Sequence, residues 1–244
     1  QALLDRPLAE IPDLPEDAGR RLVLPFFEAY FSNFIEGTEF TPDEAERIVS
    51  SGAVPPNRPA DGHDILGTYR QLADVAELRR EPPSARAFTE RLQRWHRSIM
   101  EGRPDARPGE WKRVANRAGS TTFVAPDLAV GTLVQAWHLM QRLNTPAQRA
   151  TFVLFAVAEV HPFVDGNGRL ARVAMTAELV AGDQVRVIVP TVCRNDYLAA
   201  LRRLARQDRP DLLIDVVDRL QRFTARIDFS SFDVARGQLA HANA

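Results

Sequence analysis

Cysteine occurs once in this chain of 244 residues, at Cys193, so no internal disulfide can staple it. A single free thiol fits a reducing compartment. Lysine also occurs once, at Lys112, although Lys and Arg together number 31, an arginine bias we ascribe to the source. The net charge of −1 supplies no bulk field that favours nucleic acid or an anionic membrane. Long apolar runs are missing too, because the longest is interrupted by Glu159 and His161, short of a membrane span. No signal-peptide pattern opens the chain, and it starts at Gln1 rather than Met, so the expectation is that something upstream was removed or left out. Internal repeats and low-complexity tracts are absent. What is there is ordinary for a soluble globular protein, with 45% hydrophobic and 26% charged residues. The length allows one sizeable core, or one domain with an appendage. A cytoplasmic location is the expectation.

One stretch concentrates chemistry: His161-Pro162-Phe163-Val164-Asp165-Gly166-Asn167-Gly168-Arg169-Leu170-Ala171-Arg172. The nearly all-apolar run 150–160 before it suits a buried helix. Pro162 stops that helix and leaves His161 at the end of a rigid rod, facing a loop. Asp165-Gly166-Asn167-Gly168 is turn-forming, and Leu170, Val173, Ala174, Ala177 and Leu179 then resume a helical pattern. A glycine-rich loop that opens a helix offers free N–H groups and a positive dipole end to an anion. Arg169 and Arg172, three apart, can share a face. Taken singly, such a turn, a helix-end histidine or two spaced arginines are commonly structural. In this fixed order they form a set suited to polyphosphate chemistry.

Helical spacing runs through most of the remainder. Residues 1–20 read as an arm. Residues 21–35 read as a helix starting near Leu24, because Pro25 is tolerated only in a first turn, with Gly37 as its stop. Thr41-Pro42-Asp43-Glu44 is a helix start, with the helix running to about Ser50. Residues 51–64 read as loop, 65–80 as a helix, and Ser84 as the cap of another carrying Phe88, Leu92, Trp95 and Ile99. His96 has no partner spaced for a metal site and reads as a packed or surface residue. Residues 102–126 break the pattern, with strand propensity at Ser120–Val124 and Trp111–Val114 as a candidate partner strand. Helices follow over 128–143, from Asn195, and from Pro210. The stretch 185–189 alternates weakly, and 229–244 reads as a fraying tail.

The stretch 161–172 resembles the signature of the Fic family, H-P-F-x-D-G-N-G-R-x-x-R, and matches it at each fixed position. The resemblance implies an all-α, mainly helical fold with a short β-hairpin flap over the active site. It also implies transfer of AMP from ATP to a Ser, Thr or Tyr hydroxyl of a target protein. Carried over residue by residue, His161 is the general base and Asp165 the Mg²⁺ ligand. Gly166, Asn167 and Gly168 cradle the phosphates, Arg169 stabilises their charge, and Arg172 grips the γ-phosphate. Tyr197 resembles an aromatic beside the family's adenine pocket. Ser32-Asn33-Phe34-Ile35-Glu36-Gly37 resembles the inhibitory motif [S/T]-x-x-x-E-[G/N], in which Glu36 pairs with Arg172. Its place before the core implies the subclass with an N-terminal inhibitory helix. The expected organisation is therefore an arm and inhibitory helix over 1–60, a catalytic core over 61–228 and a tail over 229–244. The flap, residues 110–125, would dock the target by strand addition.

Gly168 stands where relatives of the Doc toxin carry Lys and transfer a phosphoryl group, which favours nucleotidyl transfer. Three alternatives stay open: removal of AMP using Glu36, transfer of another nucleotide-linked group, and a nucleotide-binding regulatory module with little turnover. The sequence shows no basic recognition helix for nucleic acid. It leaves the target and any homo-oligomer undetermined.

Overall fold

The computed structural model describes all residues except 7, 16 and 120. The chain is built from α1 (Ala2–Asp5), α2 (Ala18–Ile35), α3 (Pro42–Ser51), α4 (Pro59–Ala73), α5 (Val75–Leu78) and α6 (Ala85–Ile99). Then follow β1 (Arg117–Ala118), β2 (Thr121–Thr122), α7 (Pro126–Met140), α8 (Pro146–Val160) and α9 (Asn167–Ala181). The last are α10 (Arg194–Gln207), α11 (Pro210–Thr224) and α12 (Phe232–His241). The expected all-α fold with one small hairpin is what forms.

Local chemistry accounts for most boundaries. Thr41 and Glu44 close a capping box on α3, and Thr145 and Gln148 close another on α8. Proline stands in the first turn of α3, α4, α7, α8 and α11, where its missing N–H costs nothing. Helix α2 departs from expectation. It begins at Ala18 rather than near Leu24, because the Asp17 side chain accepts from Arg20 N and caps it earlier. Pro25 consequently lies inside the helix, where the burial of Val23, Leu24, Phe26 and Phe27 around it offsets the lost hydrogen bond. Residues 61–64, expected in a loop, belong to α4, which starts at Pro59 and ends where Asp74 leaves the helical region. Trp111–Val114 is not a strand. The hairpin is shorter, pairing Arg117 with Thr122 and Ala118 with Thr121, and Ser120, expected in the strand, lies outside the described residues. Residues 185–189 are buried and form no strand among the described residues, although Val185 N donates to Ile11 O at 2.9 Å, and the expected tail contains α12, with Ala235 and Leu239 buried.

The larger apolar cluster centres on α8 and α9, an antiparallel pair walled by α4, α6, α7, α10 and α11. A second cluster gathers Phe26, Phe27 and Phe31 of α2 with Ile65, Leu66, Phe229 and Leu239. Each of those phenylalanines contributes roughly 1.5–3 kcal/mol through burial. Helix α4 serves both clusters, with Leu72 in one and Ile65 in the other. It thereby holds α2 against the end of α9.

The close approach of α4 to α6 depends on Gly67, where a Cβ would meet Ser98 O at 2.5 Å. We expect Gly67→Val to destabilise the fold by about 1–3 kcal/mol. Gly131→Ala, on an open face of α7 with nothing within 4 Å, should instead stabilise by up to about 1 kcal/mol. Urea unfolding of both variants against the parent checks the pair.

Candidate active site

Helix α8 ends at His161, which caps it in the left-handed region with φ 49° and ψ 57°. Pro162 disfavours the right-handed conformation for the residue before it, and the His161 N–H still bonds Val157 O at 3.1 Å. A left-handed histidine costs roughly 1–2 kcal/mol, so its surroundings must hold it there. Its ring Nδ1 lies 3.1 Å from Ala158 O. A carbonyl only accepts, so Nδ1 carries the proton and Nε2 keeps a bare lone pair. Phe123, just past β2, stacks on the ring with centroids 3.8 Å apart and planes 5° apart. Burial depresses the proton affinity of His161 and the Lys112 charge adds to this, while the Ala158 bond, Glu36 and Asp165 oppose it.

The turn after His161 is held by its own side chains. Asn167 Oδ1 accepts from Phe163 N, and Asn167 Nδ2 donates to Phe163 O, both at 2.9 Å. Phe163 is fully buried between His96 and Trp111. His96 accepts from Gly109 N at Nδ1, so its Nε2–H donates to Asp165 O at 2.9 Å. Burial pushes its pKa down to about 4, so it stays neutral. Gly166, at φ 73°, leads into α9, and a Cβ there would strike Met100 Sδ at 2.4 Å. The first bonded amide of α9 is Leu170 N, which reaches Gly166 O. The amides of residues 167–169 therefore face outward at the positive helix end. Asp165 is exposed, with Oδ1 accepting from Gly166 N at 2.7 Å. Among the described residues no group of three or more His, Cys, Asp or Glu is placed to hold a metal ion. A single exposed carboxylate does suit Mg²⁺, which takes one or two carboxylates and fills its shell from phosphates and water.

The two arginines of α9 part company. Arg172 Nη2 meets Glu36 Oε1 at 2.6 Å and Ser32 O at 2.9 Å, while its Nε reaches Ser32 Oγ at 2.9 Å. Arg172 is buried and Glu36 partly open, with side chains 5% and 31% exposed. Glu36 sits at the C-cap of α2, Gly37 follows at φ 90°, and the carboxylate lies directly over Gly168, where a Cβ would be 2.2 Å from Glu36 Oε1. Arg169 instead turns to Asp64 of α4 at 2.5 Å and to Asn33 Oδ1 at 3.3 Å. Asp64 is fully buried and also takes Arg103 at 2.7 Å. Both contacts of Arg169 come from residues outside the signature, and sequence reading missed Asp64 because it assigned that residue to a loop.

His161, Gly168, Arg172, Glu36 and Tyr197 meet at one cavity of about 520 Å³. Its apolar wall comes from Phe155 and Ala158 of α8 with Leu198 and Leu201 of α10, and the hairpin's Thr121 and Phe123 close one side. Arg206 of α10 donates to Thr121 Oγ1 across it. Tyr197 is fully buried, 6.0 Å from its ring centroid to the Arg172 guanidinium. Arg169, Asn167 and Asp165 do not line this cavity. The arrangement offers a base, an anion-binding helix end and a guanidinium, the last already neutralised by a carboxylate.

The sequence model of the Fic/DOC family matches residues 87–179. Protein adenylyltransferase fic-1 of Caenorhabditis briggsae is 24% identical over 181 residues, covering 72% of this chain and 36% of that protein. The chain thus spans little more than a third of the length of such relatives. A Fic-domain-containing signaling protein from Bacteroides thetaiotaomicron superposes with a TM-score of 0.73 at 15% identity, over 88% of this chain and 87% of that one. Residues 134–508 of Fic-1 from C. elegans give 0.72 at 20% identity, over 94% of this chain and 68% of that one. Residues 87–179 therefore match the Fic/DOC family model, and the chain takes the helical fold of solved Fic proteins.

Proposed function

We propose that this chain transfers AMP from ATP to a hydroxyl of a target protein, and that Glu36 holds the transfer in check. The observation that carries this reading is the Glu36–Arg172 ion pair seated over Gly168, on the wall of the cavity that His161 also lines. A carboxylate there occupies the helix end that a polyphosphate needs and spends the Arg172 charge on an internal partner.

In the released state, the outward amides of residues 167–169 and the freed Arg172 bind the phosphates, and the apolar wall of Phe155, Leu198 and Leu201 takes the base. Asp165 would hold Mg²⁺, which supplies charge neutralisation on the polyphosphate when bound. His161 Nε2 accepts the proton of the target hydroxyl. The hydroxyl oxygen bonds to the α-phosphorus, the bond to the bridging oxygen breaks, and pyrophosphate leaves. Positioning and charge stabilisation carry most of the rate. Arg169, anchored by Asp64, would act on the phosphates through the helix end it stiffens. The target would dock on the hairpin and its approach, residues 110–125.

AMP removal is a second reading, favoured by the partly open Glu36 carboxylate at the cavity, where it can orient a water. The two differ in what Glu36 does. Under transfer with inhibition, Glu36→Gly raises label incorporation from α-labelled ATP by at least about 10-fold, the γ-phosphate contact of Arg172 being worth 1.5–3 kcal/mol. Under removal, the same variant loses release of AMP from modified protein. No change in either assay takes Glu36 out of the mechanism.

His161→Ala in the Glu36→Gly background should lose transfer by about 10²–10⁴-fold while ATP binding measured by calorimetry persists. Equal transfer in both variants excludes His161 as the base.

Depressed proton affinity keeps His161 neutral, and so able to accept a proton, throughout the physiological range. The transfer rate of Glu36→Gly should be flat between about pH 7 and 8 and fall only below the ordinary histidine value of about 6.5. An acid limb centred above that value contradicts the assignment.

A further inference from the structure

Lys112 is the single lysine among 31 basic side chains, and it is buried at 3% exposure. Its ammonium donates to Val160 O at 3.2 Å and to Asn116 Oδ1 at 2.8 Å. Its backbone N–H donates to Pro162 O at 2.9 Å. Asn116 Nδ2 donates to Phe163 O at 2.8 Å and faces His161 O at 3.4 Å. The carbonyls of residues 160, 161, 162 and 163 thus all meet the segment 112–116, just where α8 stops and can no longer satisfy them. The segment then runs directly into β1, and Asn116 O accepts from Phe123 N at 3.3 Å. Phe123 is the residue stacked on the His161 ring. One short piece of chain therefore grips His161 from its backbone side and, through Phe123, from its ring face. A compact ammonium suits a pocket of converging carbonyl oxygens, which a planar guanidinium fork does not.

We propose that Lys112 and Asn116 are positioning residues that hold His161 in its left-handed conformation and couple that geometry to the hairpin flap. The proposal rests on the reading of His161 as the base. Its consequence is that a segment seated on the flap is registered against the base through a single rigid connection. Neither Lys112 nor Asn116 lines the cavity or touches the reacting atoms.

The test compares Lys112→Met, Asn116→Ala and Asn116→Asp. The last keeps an acceptor for Lys112 but removes the donor facing the carbonyls of His161 and Phe163. Asn116 is only partly buried, so its variants stay informative should Lys112→Met fail to fold. In the Glu36→Gly background, kcat for label transfer should fall roughly 10- to 100-fold, with ATP affinity by calorimetry within about 2-fold of the parent. The second readout uses the chain without ATP. Long-range ¹H–¹⁵N spectra of the histidine rings, with His161 assigned by its absence in His161→Ala, should show one Nδ1–H tautomer in the parent and a mixture in the variants. Unchanged kcat together with an unchanged tautomer overturns the proposal, as does a loss of ATP affinity matching the loss of kcat. If the Glu36→Gly parent transfers nothing, the transfer reading falls, and the tautomer spectra still decide whether Lys112 and Asn116 hold the ring.

Discussion

Two buried helices, α8 and α9, must be joined by only six residues, 161–166, and this reversal governs the rest of the structure. A turn so tight between packed rods needs left-handed backbone at both of its ends, which it takes at His161 and at Gly166. The glycine adopts that conformation freely and the histidine does not. The strain at His161 is therefore held by surrounding contacts: Lys112 and Asn116 on the carbonyls, Phe123 on the ring, and Asn167 and His96 on the turn that follows. Strain placed at one residue and restrained from several sides is how a fold fixes a reactive group.

The same reversal brings the positive end of α9 to the cavity and sets its two arginines among different carboxylates. Arg169 sits in a buried network with Asp64 and Arg103, where loss of one partner would leave an uncompensated charge. Arg172 pairs with Glu36 at the edge of the cavity, where the carboxylate is partly open and its replacement by another anion leaves no buried charge unpaired. Burial and openness thus separate a closed ion pair from one that solvent reaches on a single helix. Ser32, one turn before Glu36 on α2, grips Arg172 as well and helps aim the guanidinium at the cavity.

Much was legible from sequence because it is local. Capping boxes, prolines in first turns and apolar spacing act over three or four residues, so most of the helices were readable. So was the Ser32 to Glu36 spacing, which puts both side chains on one face. The errors were local signals overruled by packing. Pro25 is accepted inside α2 because Asp17 caps upstream and phenylalanines bury around it. Residues 61–64 became helical where Asp64 meets Arg169 of α9 and Arg103 of the turn after α6. Trp111–Val114, strand-like in composition, is committed instead to Phe163 and the carbonyls after α8.

The sequence by itself determined the kinds of groups present and their order: a histidine before proline, a glycine-rich turn, arginines three apart, and a glutamate four residues after a serine. Chain order and backbone sterics decide those features, and both can be read without the fold. Only the tertiary structure decided that Glu36 meets Arg172 as the resemblance implied, that Asp64 takes the other arginine, and that Lys112 closes on the end of the helix carrying His161. Those pairings join residues 105, 136 and 48 positions apart, and no short-range rule reaches that far. Burial selects them, because each buried charge or carbonyl must find the partner that packing brings within reach.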